Sequence, residues 1–419
     1  MKNKNKYDLA IDFDEFWKTE FNRIAVAVSG GSDSLALLNL VCDWAKNVNK
    51  FVVAITVNHN LRDGIEDEIT FISNACAELS IPHYVVSWED WDQKGNLQAE
   101  ARRARYQLIS DWATLNKIDV VALGHTKDDV VENFIIRLSR GSGVDGLSQM
   151  LSLFKSYNVN FARPLLGLSR NDLRKYLTLK KVDWIEDPSN ENPKFHRVKI
   201  RKILSELKRG GINMDNIAES SRHLRSSRDA IEGYTLDLAK KCLKFREGDI
   251  IFNLDIFLEI SFEIQRRLII KALKYMCNPD FGPRTREVTN LINAFRKHKS
   301  HTLNGYHFFH SKGFMRMTRE YQAIAKLETQ PNQTWDSRWF VAGPNSSNFT
   351  IKPLGEKGLK FIPRWRDKGI PRLTLISSPS VWKENKLELA LLLENSDFWK
   401  LRSLKQEKEF FTYQKVLNH

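Results

Sequence analysis

Residues Ala25 to Leu38 read AVAVSGGSDSLALL. An apolar run with β character meets a turn built from Ser29, Gly30, Gly31, Ser32, Asp33 and Ser34, and an apolar helical stretch follows. A turn of this kind aims backbone N–H groups and a helix N-terminus at one point, so it is a natural anion site, with phosphate the expected guest. The lysine of G-x-x-x-x-G-K-[ST] is missing and the spacing does not fit G-x-G-x-x-G, so neither common nucleotide motif applies.

Outward from that turn, extended runs (RIAVAVS, FVVAITVNHN, PHYVVSW, DVVALGHT) alternate with helical ones (SLALLNLVCDWAKN, EDEITFISNACAEL, NLQAEARRARYQLISDWATLN). This alternation predicts an α/β fold, a Rossmann-like parallel sheet with helices on both faces. Ligands of such sheets bind beyond the carboxyl ends of the strands. The loops at Ser29–Ser34, Asn58–Arg62 and Gly124–Asp129 are therefore expected to meet in one cleft. A second constellation, GHTKDDVVENFIIRLSRGSGVDGLSQM, begins at Gly124. On the helix expected after His125, Asp129 and Glu132 are three apart and share a face, which suggests a cation, with Arg137 beyond them. Arg102, Arg103 and Arg105 lie on a helix entering the same sheet.

The motif S-G-G-x-D-S resembles the PP-loop ATP pyrophosphatases, which split ATP between its α and β phosphates and place AMP on a substrate oxygen. The ordered set S-G-G-x-D-S, V-x-H-x-L-R (Val57 to Arg62), A-R-x-x-R-Y (Ala101 to Tyr106) and H-x-x-D-D-x-x-E…R-G-x-G-x-x-G-L resembles one branch, the tRNA(Ile)-lysidine synthase family. RPLLGLSRNDLRKYL and WIEDPSNENPKFHRVKIR extend the resemblance, which is dense over roughly residues 20 to 215 and returns in IKPLGEKGLKFIPRWRDKGIPRL. It implies ATP-dependent adenylation of the carbon-2 oxygen of the wobble cytidine in a CAU anticodon, then displacement of AMP by the amine of free L-lysine.

Position by position, the resemblance puts Ser29, Gly30, Gly31, Ser32, Asp33 and Ser34 around the ATP phosphates, with His125 and Arg197 also on the nucleotide. Arg105, Asp129 and Glu132 match the lysine-handling and catalytic positions. The chemistry agrees: glycines admit backbone close to phosphate, serines donate hydroxyls, and Asp33 can hold Mg²⁺ against the leaving pyrophosphate. Two carboxylates would hold an ammonium, and an arginine could take its carboxylate or developing phosphate charge. Asp129 or Glu132 would accept the ammonium's proton. Many members carry Thr where this chain has Asn133. His59 is as compatible with a structural role as with ligand contact.

Past Gly211 the texture changes to amphipathic helices with basic faces, and after about Gln330 to short β-like pieces broken by Pro and Gly. The expected division is a catalytic domain over 1–213, a helical domain over 214–329 and a small α+β C-terminal domain over 330–419. With 65 Lys+Arg against 51 Asp+Glu the formal charge is +14, which favours a polyanionic partner. The family makes that partner tRNA, with Arg137 and Arg140 as candidates for the anticodon stem or loop and Trp365 for base stacking.

No run reaches the roughly 20 apolar residues of a membrane span, and MKNKNKYDLAIDFDEF has no apolar signal core, so a cytoplasmic enzyme is expected. Oligomeric state is left open, a homodimer included. Cys42, Cys76, Cys242 and Cys277 lie far apart without a C-x-x-C pair and are expected to be buried thiols. That spacing weakens a rival, a tRNA thiolase, which needs reactive cysteines or an iron–sulfur cluster. A second, an amide-forming synthetase, lacks a visible glutaminase region. A third, a decayed RNA-binding protein, sits badly with intact Asp33, Asp129 and Glu132, and ATP-dependent pyrophosphate release would separate it.

Overall fold

A computed structural model describes residues 9, 21–59, 64–89, 97–148, 150–186, 196–277, 282–344 and 346–411. Residues 60–62 of the expected second loop, and 187–195 of the WIEDPSNENPKFHRVKIR stretch, lie outside the described residues. The chain divides into two compact units, one ending at Asp229 and the other beginning at Ala230.

The first unit is the expected α/β fold. Strand β1 (Arg23–Ala27) leads to helix α1 (Ser32–Val48), and then come β2 (Phe51–Asn58), α2 (Ile65–Glu78), β3 (His83–Ser87) and α3 (Leu97–Leu115). After them stand β4 (Val120–Leu123), α4 (Lys127–Leu138), α5 (Val144–Leu147), the hairpin β5 (Leu153–Ser156) and β6 (Val159–Ala162), then α6 (Arg170–Lys180), α7 (His196–Arg209) and α8 (Met214–Cys242), whose sequence crosses from the first unit into the second. The strand order is β3-β2-β1-β4-β6-β5. All neighbours run parallel except β5, which closes the edge antiparallel to β6.

Ile24, Ala25 and Val26 are fully buried, as a central strand covered on both faces requires. Leu35 to Cys42 form one unbroken buried run, so α1 is apolar all round and lies inside the unit. On one face α1 and α6 join a cluster with Ile24, Val26, Val120 and Ala122, and on the other Tyr106, Ile109 and Ala113 of α3 pack with Ala25, Val121 and Phe161.

Strand order places the site. From β1 the chain steps outward through β2 to β3, then returns to the other side of β1 as β4. Between the carboxyl ends of β1 and β4 lies the switch point, where a parallel sheet offers a crevice. The glycine turn follows β1 and the Gly124 turn follows β4.

Both expected amphipathic helices are present, as α8 and as Phe262–Cys277 of the second unit, which has a further helix at Thr285–Arg296. With them runs a five-stranded antiparallel sheet built from Leu243–Arg246, Asp249–Asn253, Phe314–Arg319, Tyr306–Ser311 and His301–Leu303 in that spatial order, which helical periodicity did not predict. Its hairpins turn at Glu247–Gly248, Asn304–Gly305 and Lys312–Gly313, each pair at positive φ as the tightest antiparallel turn demands. Further on, two three-stranded antiparallel sheets carry their own apolar clusters, around Trp335 and Trp399 and around Leu354 and Leu375. Cys42, Cys76 and Cys242 are buried as expected, whereas Cys277 is exposed near the end of its helix. Among the described residues no helix is long and apolar enough to cross a membrane.

Candidate active site

The first turn is shaped by two constraints. Gly30 sits at φ +79°, and its carbonyl accepts from the Ile185 N–H at 2.9 Å while an added Cβ would fall 2.7 Å from Ile185 Cδ1. Gly31 is the N-cap of α1, and no side chain caps that helix. The first-turn N–H groups of a 17-residue helix therefore point outward without a side-chain acceptor. Ser34 Oγ donates to the Gly31 carbonyl at 2.9 Å and accepts from the Ser29 N–H at 3.2 Å, which fixes the loop from within.

The second turn presses against the first. A Cβ at Gly124 would meet Asp33 C, Asp33 O and Ser34 N at 3.1 Å, all backbone atoms, so the approach of the two turns needs glycine there. Helix α4 begins two residues later and is closed by its own chain. Asp129 Oδ2 accepts from the Thr126 N–H at 2.8 Å and the Thr126 hydroxyl at 3.0 Å, a capping box. Only Asp129 Oδ1 is left to face the site.

What faces it is a set of arginines. Arg170, at the start of α6, donates from Nε to Asp33 Oδ2 at 3.0 Å, and its two terminal nitrogens lie 3.8 Å from Asp129 Oδ1 and 3.7 Å from Glu132 Oε1. Arg201 of α7 donates to Glu132 Oε1 at 2.7 Å, and Arg197 Nη1 stands 3.9 Å from Asp129 Oδ1. Three carboxylates thus meet three guanidiniums. Glu132 Oε2 is buried and has no hydrogen-bond partner.

The electrostatics follow from that packing. Burial raises the Asp33 carboxyl above its usual range even though Arg170 opposes the shift. Asp129 goes the other way: burial disfavours its charge, but the Thr126 amide, Arg170 and Arg197 outweigh it and hold the group ionised. Burial, then the charge of Arg163, pushes His125 well below the ordinary histidine range, so at neutral pH it is an uncharged ring whose Nδ1 is buried without a partner. Arg163 lies beneath, with Nη1 donating to the Leu151 carbonyl at 3.0 Å and its guanidinium 4.0 Å from the ring centre of Phe154.

Arg105 contacts His59 instead of the two carboxylates. Its Nε donates to His59 Nε2 at 3.3 Å, so that imidazole nitrogen is an acceptor and the ring is neutral there. Burial and the Arg105 charge lower the His59 pKa to about 4, and the ring packs edge-on against Trp88 at 5.8 Å. Arg105 also feels the positive charge of Arg197, which links it to the acidic group.

Ser29–Ser34, His125, Asp129, Glu132 and Arg197 therefore gather around one switch point, with Arg105 beside it through His59. The expected free pair of acids is instead already neutralised. Arg170, Arg201 and Arg163 were not singled out from sequence, although all three stand in the two stretches RPLLGLSRNDLRKYL and WIEDPSNENPKFHRVKIR. Arg137 donates to Asn133 Oδ1 at 3.3 Å, which gives the unusual Asn133 a partner on the next turn, and Arg140 is exposed at the end of α4. Trp365 carries the Arg366 guanidinium 4.3 Å from its ring centre, so one face is already covered.

Comparison with known proteins gives the following matches. A PP-loop domain family matches residues 5–207. A tRNA(Ile)-lysidine synthase from Ruegeria pomeroyi is 35% identical over 397 residues, covering 95% of this chain and 94% of the relative. One from Wolbachia pipientis wMel is 32% identical, covering 87% of this chain and 88% of the relative. Among solved structures, a U34-tRNA thiolase from Methanococcus maripaludis with its [4Fe-4S] cluster matches at 21% identity and a TM-score of 0.42, over 48% of this chain and 71% of that one.

Proposed function

The chain belongs to the tRNA(Ile)-lysidine synthase family, and from that membership we propose that it adenylates the wobble cytidine of a CAU-anticodon tRNA(Ile) with ATP and then joins free L-lysine to carbon-2. Pyrophosphate leaves in the first step and AMP in the second. The observation that carries the reading is an uncapped helix N-terminus linked through Arg170 to a buried carboxylate group, at the switch point of a parallel sheet.

In this reading the N–H groups at the start of α1 and the hydroxyls of Ser29, Ser32 and Ser34 receive the ATP phosphates. Asp33 is a single carboxylate beside that cradle. It suits Mg²⁺, which keeps several waters and takes its other ligands from phosphate, and no group of three metal-binding side chains occurs among the described residues. When bound, the ion neutralises charge developing on the leaving pyrophosphate. His125, uncharged and half-buried, offers a ring nitrogen to the nucleotide without adding charge.

The second step needs a neutral amine, and a free ε-ammonium has a pKa of about 10.4. Asp129 is a poor proton acceptor, since one oxygen is committed to the α4 cap and the carboxylate is held ionised by its surroundings. Glu132 Oε2 is unpartnered, so we assign it the proton, with Asp129 as the fixed charge that orients the ammonium. Arg105, whose Nε is bonded to His59, would receive the lysine carboxylate. The proposed division of labour along the chain is catalysis by 1–213, with tRNA docking by 214–329 and 330–419 and by Arg137 and Arg140 at the cleft. The reaction belongs in the cytoplasm, where tRNA and free lysine meet.

The test is incubation of the purified full chain with ATP, Mg²⁺, radiolabelled lysine and a CAU-anticodon tRNA(Ile) transcript, with a tRNA(Met) transcript as control. Label in the isoleucine tRNA alone is the expected result. Pyrophosphate release without label in either tRNA would overturn the acceptor or the amine while keeping the ATP chemistry.

A further inference from the structure

Arg170 is separated from Asp33 by 137 residues, yet among the described residues it is the side chain that reaches Asp33, Asp129 and Glu132 together. Its contacts are unequal: Nε holds Asp33 at 3.0 Å, while the terminal nitrogens stand off Asp129 and Glu132 by 3.8 and 3.7 Å. Arg201 holds Glu132 Oε1 at 2.7 Å, so Glu132 Oε2, buried without a hydrogen-bond partner, is the oxygen left for a further cation. Resting on the proposed placement of lysine, we infer that Arg170 is a positioning residue for the amine nucleophile: its guanidinium is the shared counter-ion that stops Asp129 and Glu132 from holding the lysine ammonium too strongly for its proton to leave.

The physical basis is charge balance. Asp33, Asp129 and Glu132 carry three negative charges against Arg170, Arg197 and Arg201, with the charge of Arg163 acting on Asp129 from beneath and His125 neutral beside them. Removing Arg170 takes one positive charge from the group, and an ammonium entering it is held more firmly in its protonated form. With Arg170 in place, a like charge lies next to the ammonium and favours the free amine. The ammonium proton then passes to Glu132 Oε2, the nitrogen lone pair forms the bond to carbon-2, and the bond from carbon-2 to the adenylate oxygen breaks, with AMP taking the electron pair. The nitrogen's remaining extra proton is lost to solvent.

This predicts an unusual kinetic signature. In Arg170→Gln the lysine KM is unchanged or falls, because the acids bind the ammonium better, while kcat drops about thirtyfold at pH 7.5 and recovers to within about threefold of wild type at pH 9.5. Arg170→Lys restores the charge and brings back most of kcat with a wild-type pH profile. The backbone N–H of residue 170, which donates to Asp128 Oδ2 at 2.7 Å and helps start α6, is kept in both variants.

The measurement is lysine transfer by the full chain with ATP, Mg²⁺ and tRNA(Ile) transcript, titrating lysine from pH 7 to 9.5, beside thermal unfolding of each variant. A raised lysine KM with a pH-independent deficit in Arg170→Gln overturns the inference, as does failure of a folded Arg170→Lys to recover activity. If the glutamine variant does not fold, the lysine variant alone decides the matter. Absence of lysine transfer in the wild-type chain is instead a failure of the functional reading, so the two are told apart.

Discussion

Two helices of the first unit start at the same switch point, and their N-termini are finished in opposite ways. Helix α1 begins at Gly31 with no side-chain cap. Helix α4 begins at Thr126 and is sealed by Asp129, a residue of its own first turn. Both follow a parallel strand, and both carry the positive end of a helix dipole. The first leaves that end free for an anion from solution. The second spends it on an internal carboxylate, which thereby becomes a fixed, ionised feature of the cleft. One topology thus supplies an open helix N-terminus and, directly beside it, a fixed carboxylate.

The strongest way to break this comparison is at Asp33, which lies in the open turn but reaches across to Arg170. Asp33→Asn preserves the shape of the turn and removes the charge. If Asp33 handles the metal, ATP-dependent pyrophosphate release in the presence of tRNA should fall about 10³-fold, corresponding to several kcal/mol of transition-state stabilisation. Binding of ATP without metal should change by less than about tenfold, because the N–H groups of α1 are untouched. Release at near-wild-type rates would mean that the open turn works without its carboxylate.

A second variant tests whether the two turns act as one unit. In Gly124→Ala the new methyl group meets the Asp33 and Ser34 backbone at 3.1 Å, and no flexible side chain is there to yield. The expected cost is about 1–3 kcal/mol of stability. Displacing the phosphate turn should lower pyrophosphate release by about tenfold to a hundredfold. Gly167→Ala is the control, since nothing lies within 4 Å of an added Cβ there, and it should stay within about 0.5 kcal/mol of wild type. Chemical denaturation and initial rates on the same preparations measure both.

Sequence made the open turn legible and the closed one only partly so. The β1–α1 and β4–α4 passages could be read because each is local: an apolar strand, a short turn, then a run with helical periodicity. The role of Gly124 could not, because it depends on the Asp33 backbone 91 positions earlier in the chain. The same holds for Arg170 and Arg201, which neutralise acids that look free when α4 is read alone. The hairpin β5–β6 and the five-stranded sheet of the second unit escaped for another reason. Their strands are three to six residues long, too short for periodicity to separate from noise, although the Asn304–Gly305 pair carries a turn signal in its composition.

The smallest effect sharpens the comparison most, because the first unit contains a second capping box whose own acid takes no part in the carboxylate group. At α6, Asp172 Oδ2 accepts from the Ser169 hydroxyl at 2.5 Å and the Ser169 N–H at 3.3 Å, as Asp129 does at α4, but Asp172 is on the surface. The Ser169 hydroxyl lowers the Asp172 pKa against a small opposing effect of burial. For Asp129 burial is the largest influence and is overcome by the Thr126 amide and the arginines. A carboxyl held below its unfolded pKa of about 3.9 contributes stability that is present above that value and is lost as pH falls through the folded one. Asp172→Asn should therefore cost about 1 kcal/mol at pH 7, the worth of a cap. Asp129→Asn should cost about 2–3 kcal/mol, because Arg170 and Arg197 also lose a buried partner. Both deficits should shrink below pH 4, as the wild-type carboxyls protonate. Equal costs for the two variants in urea unfolding at pH 7 would reduce Asp129 to a helix cap, whereas a larger cost at Asp129, accompanied by lost lysine transfer only there, is what a cap that doubles as a fixed charge requires.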